Sequence, residues 1–327
     1  MAKAYKDYKV LVCGAGTMGA SIAQVFAASG IKVVVTDLKQ EFVDNGLGHI
    51  DSAIDDMVAN GLADESYRET VKANLSTTTN DKVPAMAKDF DVVYEVIIEN
   101  KDAKRSLFQM LVDNCRPDCI FASNTSGMDV FSVTDDIMTN PGRLVITHWF
   151  NPPYLMKIIE VVKGPKTSDE TAETMRGLLE FCGKKPAVLN KFMPGFIVNR
   201  LATVICRELY SMVEKGWVNA QDAENALKYT DGLRWSFEGP LELWDFVGLG
   251  LTCTVAKDVL PTLCNDSVTI PYGDKLIAEG KTGVKDGEGC LKSYEGVDFD
   301  AYVKKRNRRI IEMYKMMNKF EEEDAAE

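Results

Sequence analysis

Two hydrophobic regimes divide the chain. Between residues 8 and 190 short apolar runs alternate with stretches of helical period, whereas from residue 196 onward the period is helical throughout. The runs at 8–13 (YKVLVC), 31–36 (IKVVVT), 90–98 (FDVVYEVII), 120–122 (IFA), 144–147 (LVIT), 157–162 (KIIEVV) and 186–190 (PAVLN) predict strands. Several are apolar without alternation, as strands covered on both faces of a parallel sheet are. Helices are expected at 20–29, closed by Gly30, at 47–58, closed by Gly61, at 63–75, after Asn100-Lys101, and at 168–182. Strands interleaved with helices describe a doubly wound α/β sheet. The expected domains are 1–191, with a helical insertion at about 40–80, and an all-α domain over 192–327 that opens at Phe192-Met193-Pro194-Gly195. Helical stretches such as 240–251 carry more apolar surface than a small domain can hide, which points to a homodimer built through this second domain.

Composition then narrows the partners. With 49 acidic residues against 38 basic ones the net charge is -11, which excludes nucleic acid and acidic membrane surfaces. No apolar run approaches the roughly 18 residues that cross a bilayer. Eight cysteines are scattered without a CxxC pair. In the absence of a signal peptide they read as reduced thiols in a cytoplasmic setting, and no metal site is expected.

Candidate chemistry begins directly after the first strand. Gly14-Ala15-Gly16-Thr17-Met18-Gly19 is a GxGxxG turn between strand and helix, and the next strand ends at Asp37. This spacing is the signature of a Rossmann-type dinucleotide site. Gly14 permits the tight turn, Gly16 lets backbone approach a pyrophosphate, and Gly19 lets helix pack on strand. Thr17 and Met18 open the helix whose N-terminus favours the anion. Asp37 suits the two ribose hydroxyls and repels a 2′-phosphate, so NAD is expected rather than NADP.

Loops after the later strands should face the same crevice. They offer Glu99 and Lys104 on the nicotinamide side, Asn124 with the cofactor set, and Ser126 as a hydrogen-bond partner for a small-molecule substrate, with a surface ion pair and a polar turn as the alternatives on spacing alone. The chain has two histidines, and His148 stands at the mouth of the 144–147 run. Glu160 interrupts the run that follows the Trp149-Phe150-Asn151-Pro152-Pro153 break, and a carboxylate there is costly to bury without a partner. If the two runs pair, Glu160 orients His148 as a general base. A core histidine and an edge-strand glutamate remain the alternative on this stretch alone. Asn199 and Arg200 fall in the first turns of the long helix that opens the second domain.

Taken together, GAGTMG, YEVIIEN, SNTS, THWFNPP with IIEVV, PGFIVNR and GPLELWDFVGLGL resemble the L-3-hydroxyacyl-CoA dehydrogenase family over almost the whole length. The resemblance implies a catalytic base at His148, its partner at Glu160, support of the imidazole by Asn151, and substrate-oxygen contacts from Ser126 and Asn199. It also implies NAD at Gly14, Gly16, Gly19, Asp37, Glu99 and Lys104, and a homodimer. The chain departs from the pattern at Gly127, Trp149 and Gly289-Cys290-Leu291. CoA-binding members carry a Ser and a Lys on the insertion, where this chain has Ala53 and Asn60 among acidic residues. The segment LRWSFEGPLE is similar to the branch that oxidises gulonate, a free 3-hydroxy acid. Two substrate expectations therefore stand, a short 3-hydroxyacyl-CoA such as 3-hydroxybutyryl-CoA and a free 3-hydroxy acid. A third reading, a non-catalytic NAD-binding structural or sensor protein, is opposed by the joint presence of His148, Glu160, Ser126 and Asn199.

Overall fold

The computed structural model describes residues 3–268, 270–324 and 326. The chain forms two compact units, Met1–Ile197 and Val198–Glu327, so the division falls a few residues beyond the expected one.

In the first unit, chain order runs β1 (Lys9–Cys13), α1 (Thr17–Ala28), β2 (Lys32–Asp37), α2 (Gln40–Ala59), α3 (Glu65–Asn74) and β3 (Leu75–Thr79). It continues with a single turn α4 (Val83–Met86), β4 (Val92–Glu95), α5 (Lys101–Asn114), β5 (Ile120–Ser123) and α6 (Val130–Thr134). β6 (Leu144–Trp149), β7 (Ile158–Lys163), α7 (Asp169–Phe181) and β8 (Lys185–Leu189) complete it. The eight strands make one sheet in the order β3-β2-β1-β4-β5-β6-β7-β8. Every neighbouring pair is parallel except β6 and β7, which are antiparallel.

The unbroken apolar strands have a direct structural meaning. Val10 and Val12 face one core with Phe26, Tyr94 and Trp149, whereas Leu11 and Cys13 face another with Val93, Phe108 and Phe121. Successive side chains of a strand point to opposite faces, so a sheet covered by helices on both sides needs apolar residues at every position. The α/β expectation for this unit is met.

Two expected elements differ. The helix read over 63–75 stops at Asn74, and Leu75–Thr79 forms the edge strand β3, paired with β2. Its sequence, LSTTT, is β-branched but hardly apolar, because an edge strand is partly exposed. The run at 90–98 is a strand over Val92–Glu95 alone. It ends where Cys13, its last partner on β1, gives way to the glycine turn.

The second unit is helical, as expected, with α8 (Val198–Glu214), α9 (Ala220–Lys228), α10 (Asp231–Arg234), α11 (Pro240–Val247), α12 (Leu249–Val259), α13 (Pro271–Ala278) and α14 (Phe299–Asp324). Among its described residues Ser211, Ala223, Leu276 and Ile311 are buried. Leu241 (80 % exposed) and Phe246 (83 %) stand on the apolar helix α11, with Leu249 and Leu251 exposed on α12.

Candidate active site

The parallel strands of the first unit end at Cys13, Asp37, Glu95, Ser123 and Trp149 on one side of the sheet. That side therefore gathers the loops singled out from the sequence. At β1, Gly14 has φ +112°, and a Cβ there would overlap the Val96 carbonyl oxygen. A Cβ at Gly19 would overlap the Gly14 carbonyl oxygen, so helix and turn touch backbone to backbone. Gly16 is different, since its Cβ would meet nothing within 4 Å. It opens the approach to the start of α1, where Thr17 is exposed, Met18 is half-buried, and the first N–H groups lack intrahelical partners. Asp37 lies across this turn, with Oδ2 accepting from the Ala15 N–H at 2.7 Å and Oδ1 from the Leu38 N–H at 2.7 Å. An exposed glycine, free N–H groups and a fixed carboxylate together fit a dinucleotide. Gly46 on α2 belongs to the same corner, because a Cβ there would lie 2.5 Å from the Ala15 carbonyl oxygen. Sequence reading missed it, since a lone glycine in a helix carries no signal of what approaches it.

Three strands along, β6 and β7 place His148 directly opposite Glu160 in antiparallel register. Glu160 is fully buried and His148 is 4 % exposed. The imidazole Nδ1 lies 2.7 Å from Glu160 Oε2, and Glu160 Oε1 accepts from the Ile197 N–H at 2.7 Å. The ring also packs against Phe150 (centroids 4.6 Å apart) and Phe196 (5.3 Å). Phe196 is buried with φ +49°, an uncommon backbone conformation for a non-glycine residue. No sequence pattern announces such an aromatic wall. Asn151, assigned by resemblance to support the imidazole, is exposed, and no described hydrogen bond joins it to His148. Glu160 and the two phenyl rings contact the imidazole directly. Asn199 lies in the first turn of α8, half-buried, in the second unit.

Between these two corners runs a polar network. Asn124 Oδ1 accepts from the Trp149 N–H at 2.9 Å, beside His148. Ser126 is exposed, and its N–H donates to Glu99 Oε1 at 3.0 Å. Lys104 is 1 % exposed, with Nζ 2.6 Å from Glu95 Oε1 and 3.4 Å from Glu99 Oε2. Glu95 is fully buried and was missed. It interrupts its apolar run just as Glu160 does, so the same cost argument would have found it.

On the insertion, the Asn60 side chain caps α2 by donating to the Asp56 carbonyl at 2.7 Å, and Ala53 is half-buried. The acidic face is partly neutralised by Arg68, which reaches Asp55 (2.5 Å), Glu65 (3.0 Å) and Asp51 (3.6 Å).

Comparison with known proteins decides the lineage. Residues 9–192 match the 3-hydroxyacyl-CoA dehydrogenase NAD binding domain, and residues 195–293 match the C-terminal domain of the same name. The chain belongs to the 3-hydroxyacyl-CoA dehydrogenase family. It is thus an NAD-dependent oxidoreductase, and residues 9–192, which include the glycine corner, match the family's NAD binding domain. A probable 3-hydroxybutyryl-CoA dehydrogenase of Deinococcus radiodurans is 36 % identical over 283 residues, covering 86 % of this chain and 98 % of that protein. Among solved structures of the family, (S)-3-hydroxybutyryl-CoA dehydrogenase from Ralstonia eutropha matches with TM-score 0.73 and 28 % identity over 88 % of this chain and 99 % of its own. A 5-formyl-3-hydroxy-2-methylpyridine 4-carboxylic acid 5-dehydrogenase, described as an NAD+-dependent dismutase, matches with TM-score 0.85 and 26 % identity over 95 % of this chain and 99 % of its own.

Proposed function

We propose that the protein interconverts a short-chain (S)-3-hydroxyacyl-CoA, such as 3-hydroxybutyryl-CoA, and its 3-ketoacyl-CoA. The observation that carries this reading is the buried His148–Glu160 pair, at the same sheet end as the NAD-binding turn. An ionised Glu160 accepts from Nδ1–H, which leaves Nε2 as the unprotonated nitrogen. In oxidation Nε2 takes the proton of the 3-hydroxyl, and the carboxylate stabilises the imidazolium that forms. In reduction the imidazolium returns it. Ser126 and Asn199 hold substrate oxygens in this reading. Bound NAD supplies the hydride acceptor or donor. Asp37, fixed at the end of β2, selects NAD over NADP. The apolar side chains exposed on α11 and α12 support a homodimer through the helical unit. Eight free cysteines support a reducing, cytoplasmic setting.

A second reading, the same chemistry on a free 3-hydroxy acid, is favoured by two observations. Ala53 and Asn60 stand where the resemblance expects Ser and Lys, and the Asn60 amide is already engaged with its own helix. The match over 95 % of the chain to a dehydrogenase of a pyridine carboxylic acid supports a free acid in place of a CoA thioester, though the group named there is a formyl.

The direct test of the dyad is NAD reduction with each enantiomer of 3-hydroxybutyryl-CoA. The (S) form alone should be oxidised, and His148→Gln should lower that rate about 10²–10⁴-fold. Equal rates with both enantiomers, or full activity in the variant, would refute the assignment.

A further inference from the structure

We propose that Glu95, through Lys104 and Glu99, is the positioning residue for the Ser126 loop. The inference deepens the reading above and rests on it for the role of Ser126 toward substrate. Glu95 ends β4, opposite Ser123 of β5, and both are fully buried. Its carboxylate accepts from Lys104 Nζ at 2.6 Å, from Ser123 Oγ at 2.5 Å and from the Ile97 N–H at 2.9 Å. Lys104 Nζ also lies 3.4 Å from Glu99 Oε2. The other Glu99 oxygen accepts from Thr125 Oγ1 at 2.8 Å and from the Ser126 N–H at 3.0 Å. Thr125 Oγ1 in turn accepts from the N–H groups of Gly127 (3.3 Å) and Met128 (2.9 Å). A continuous chain of charge-assisted bonds thus runs from the sheet interior to the backbone of the exposed Ser126.

Stability alone does not account for this pair. Replacing a buried ion pair by well-packed apolar groups is often neutral or stabilising, because desolvation offsets the attraction. The pair's location does account for it. Glu99 is exposed, and its carboxylate is shared between the two sides: the Lys104 ammonium beneath it holds one oxygen, which leaves the other aimed at Thr125 and Ser126. Glu95 fixes that ammonium. With a neutral amide at 95, Lys104 has Glu99 as its remaining carboxylate. Glu99 is then drawn toward Lys104 and away from Thr125 and Ser126.

Two readouts test this in the full-length protein. In Glu95→Gln, hydrogen exchange at the Ser126 amide should quicken about tenfold, the loss of roughly one hydrogen bond. KM for the 3-keto substrate that the wild-type protein reduces should rise about tenfold as well. A merely structural role would reduce the active fraction, lowering kcat with KM unchanged. Should the single variant fold poorly, Glu95→Gln/Lys104→Met removes both charges and leaves the amide to bond Ser123 and Ile97. That variant should regain wild-type thermal stability yet keep the fast Ser126 exchange and the raised KM. Wild-type exchange and KM in a folded variant, or their recovery together with stability in the double variant, would overturn the proposal. The exchange arm needs no substrate. Loss of Ser126 protection would uphold the positioning chain even if the wild-type protein reduced no 3-ketoacyl-CoA, a result that sinks the proposed function alone.

Discussion

Glu160→Gln is the change whose consequence can be worked most fully. Glu160 uses both oxygens as acceptors, Oε2 toward His148 Nδ1 and Oε1 toward the Ile197 N–H, each at 2.7 Å. Glutamine has one acceptor and one donor at those two places. If its carbonyl serves Ile197, its NH₂ faces Nδ1 and forces the proton onto Nε2, the nitrogen that must be free to act as base. If its carbonyl serves Nδ1–H, its NH₂ faces the Ile197 N–H, and that donor loses its acceptor. Neither arrangement keeps a negative charge beside the imidazolium. The loss of a hydrogen bond to a charged group is about 1.5–3 kcal/mol, or about one to two decades in rate. Steady-state oxidation of (S)-3-hydroxybutyryl-CoA should therefore show kcat reduced about 10- to 100-fold, with NAD affinity nearly unchanged. A kcat within about threefold of wild type, less than 1 kcal/mol, would show that the carboxylate does not serve the base.

Further outcomes follow from other parts of the first unit. NAD should exceed NADP in kcat/KM, because the Asp37 carboxylate is pinned across the glycine turn by two N–H bonds; parity between the cofactors would remove that role. Gly46→Ala should weaken NAD binding several-fold with little effect on kcat, since its Cβ would press on the Ala15 carbonyl oxygen within the turn. Isothermal titration with NAD measures it, and unchanged affinity would show that α2 yields instead. Lys184 donates to the carbonyls of Pro153 (2.6 Å) and Met156 (3.1 Å), and burial pushes its ammonium down to about 8 from 10.5. The folded state sheds this proton first, so between pH 8 and 10.5 the unfolded chain binds more protons and this group's contribution to stability rises with pH. Thermal melts of Lys184→Met should lack that rise relative to wild type; parallel curves would refute it.

How much of this was legible depended on whether the signal was local. The glycine turn and the buried strands are encoded in contiguous patterns, and the sequence reading of them agrees with the fold. β3 was hidden because LSTTT lies on an edge and lacks the apolar run that marks a central strand. Adjacency of the His148 and Glu160 runs was legible as a condition, and the antiparallel register of β6 and β7 supplies it. Glu95 was legible in principle and passed over. Phe196 was not, because its ring reaches His148 through a positive-φ backbone that bulky residues rarely adopt.

The central claim is the CoA thioester substrate, and its most direct test is NADH oxidation with acetoacetyl-CoA beside free 3-keto acids under one set of conditions. The phosphate contact that the family resemblance expects of a Lys at position 60, where this chain has Asn60, is worth about 1.5–3 kcal/mol, so its loss would weaken a CoA handle without removing what pantetheine and acyl group contribute. Acetoacetyl-CoA should win by at least about tenfold in kcat/KM, or about 1.4 kcal/mol. A free 3-keto acid reduced as well or better would contradict the assignment and give the site to a free 3-hydroxy acid.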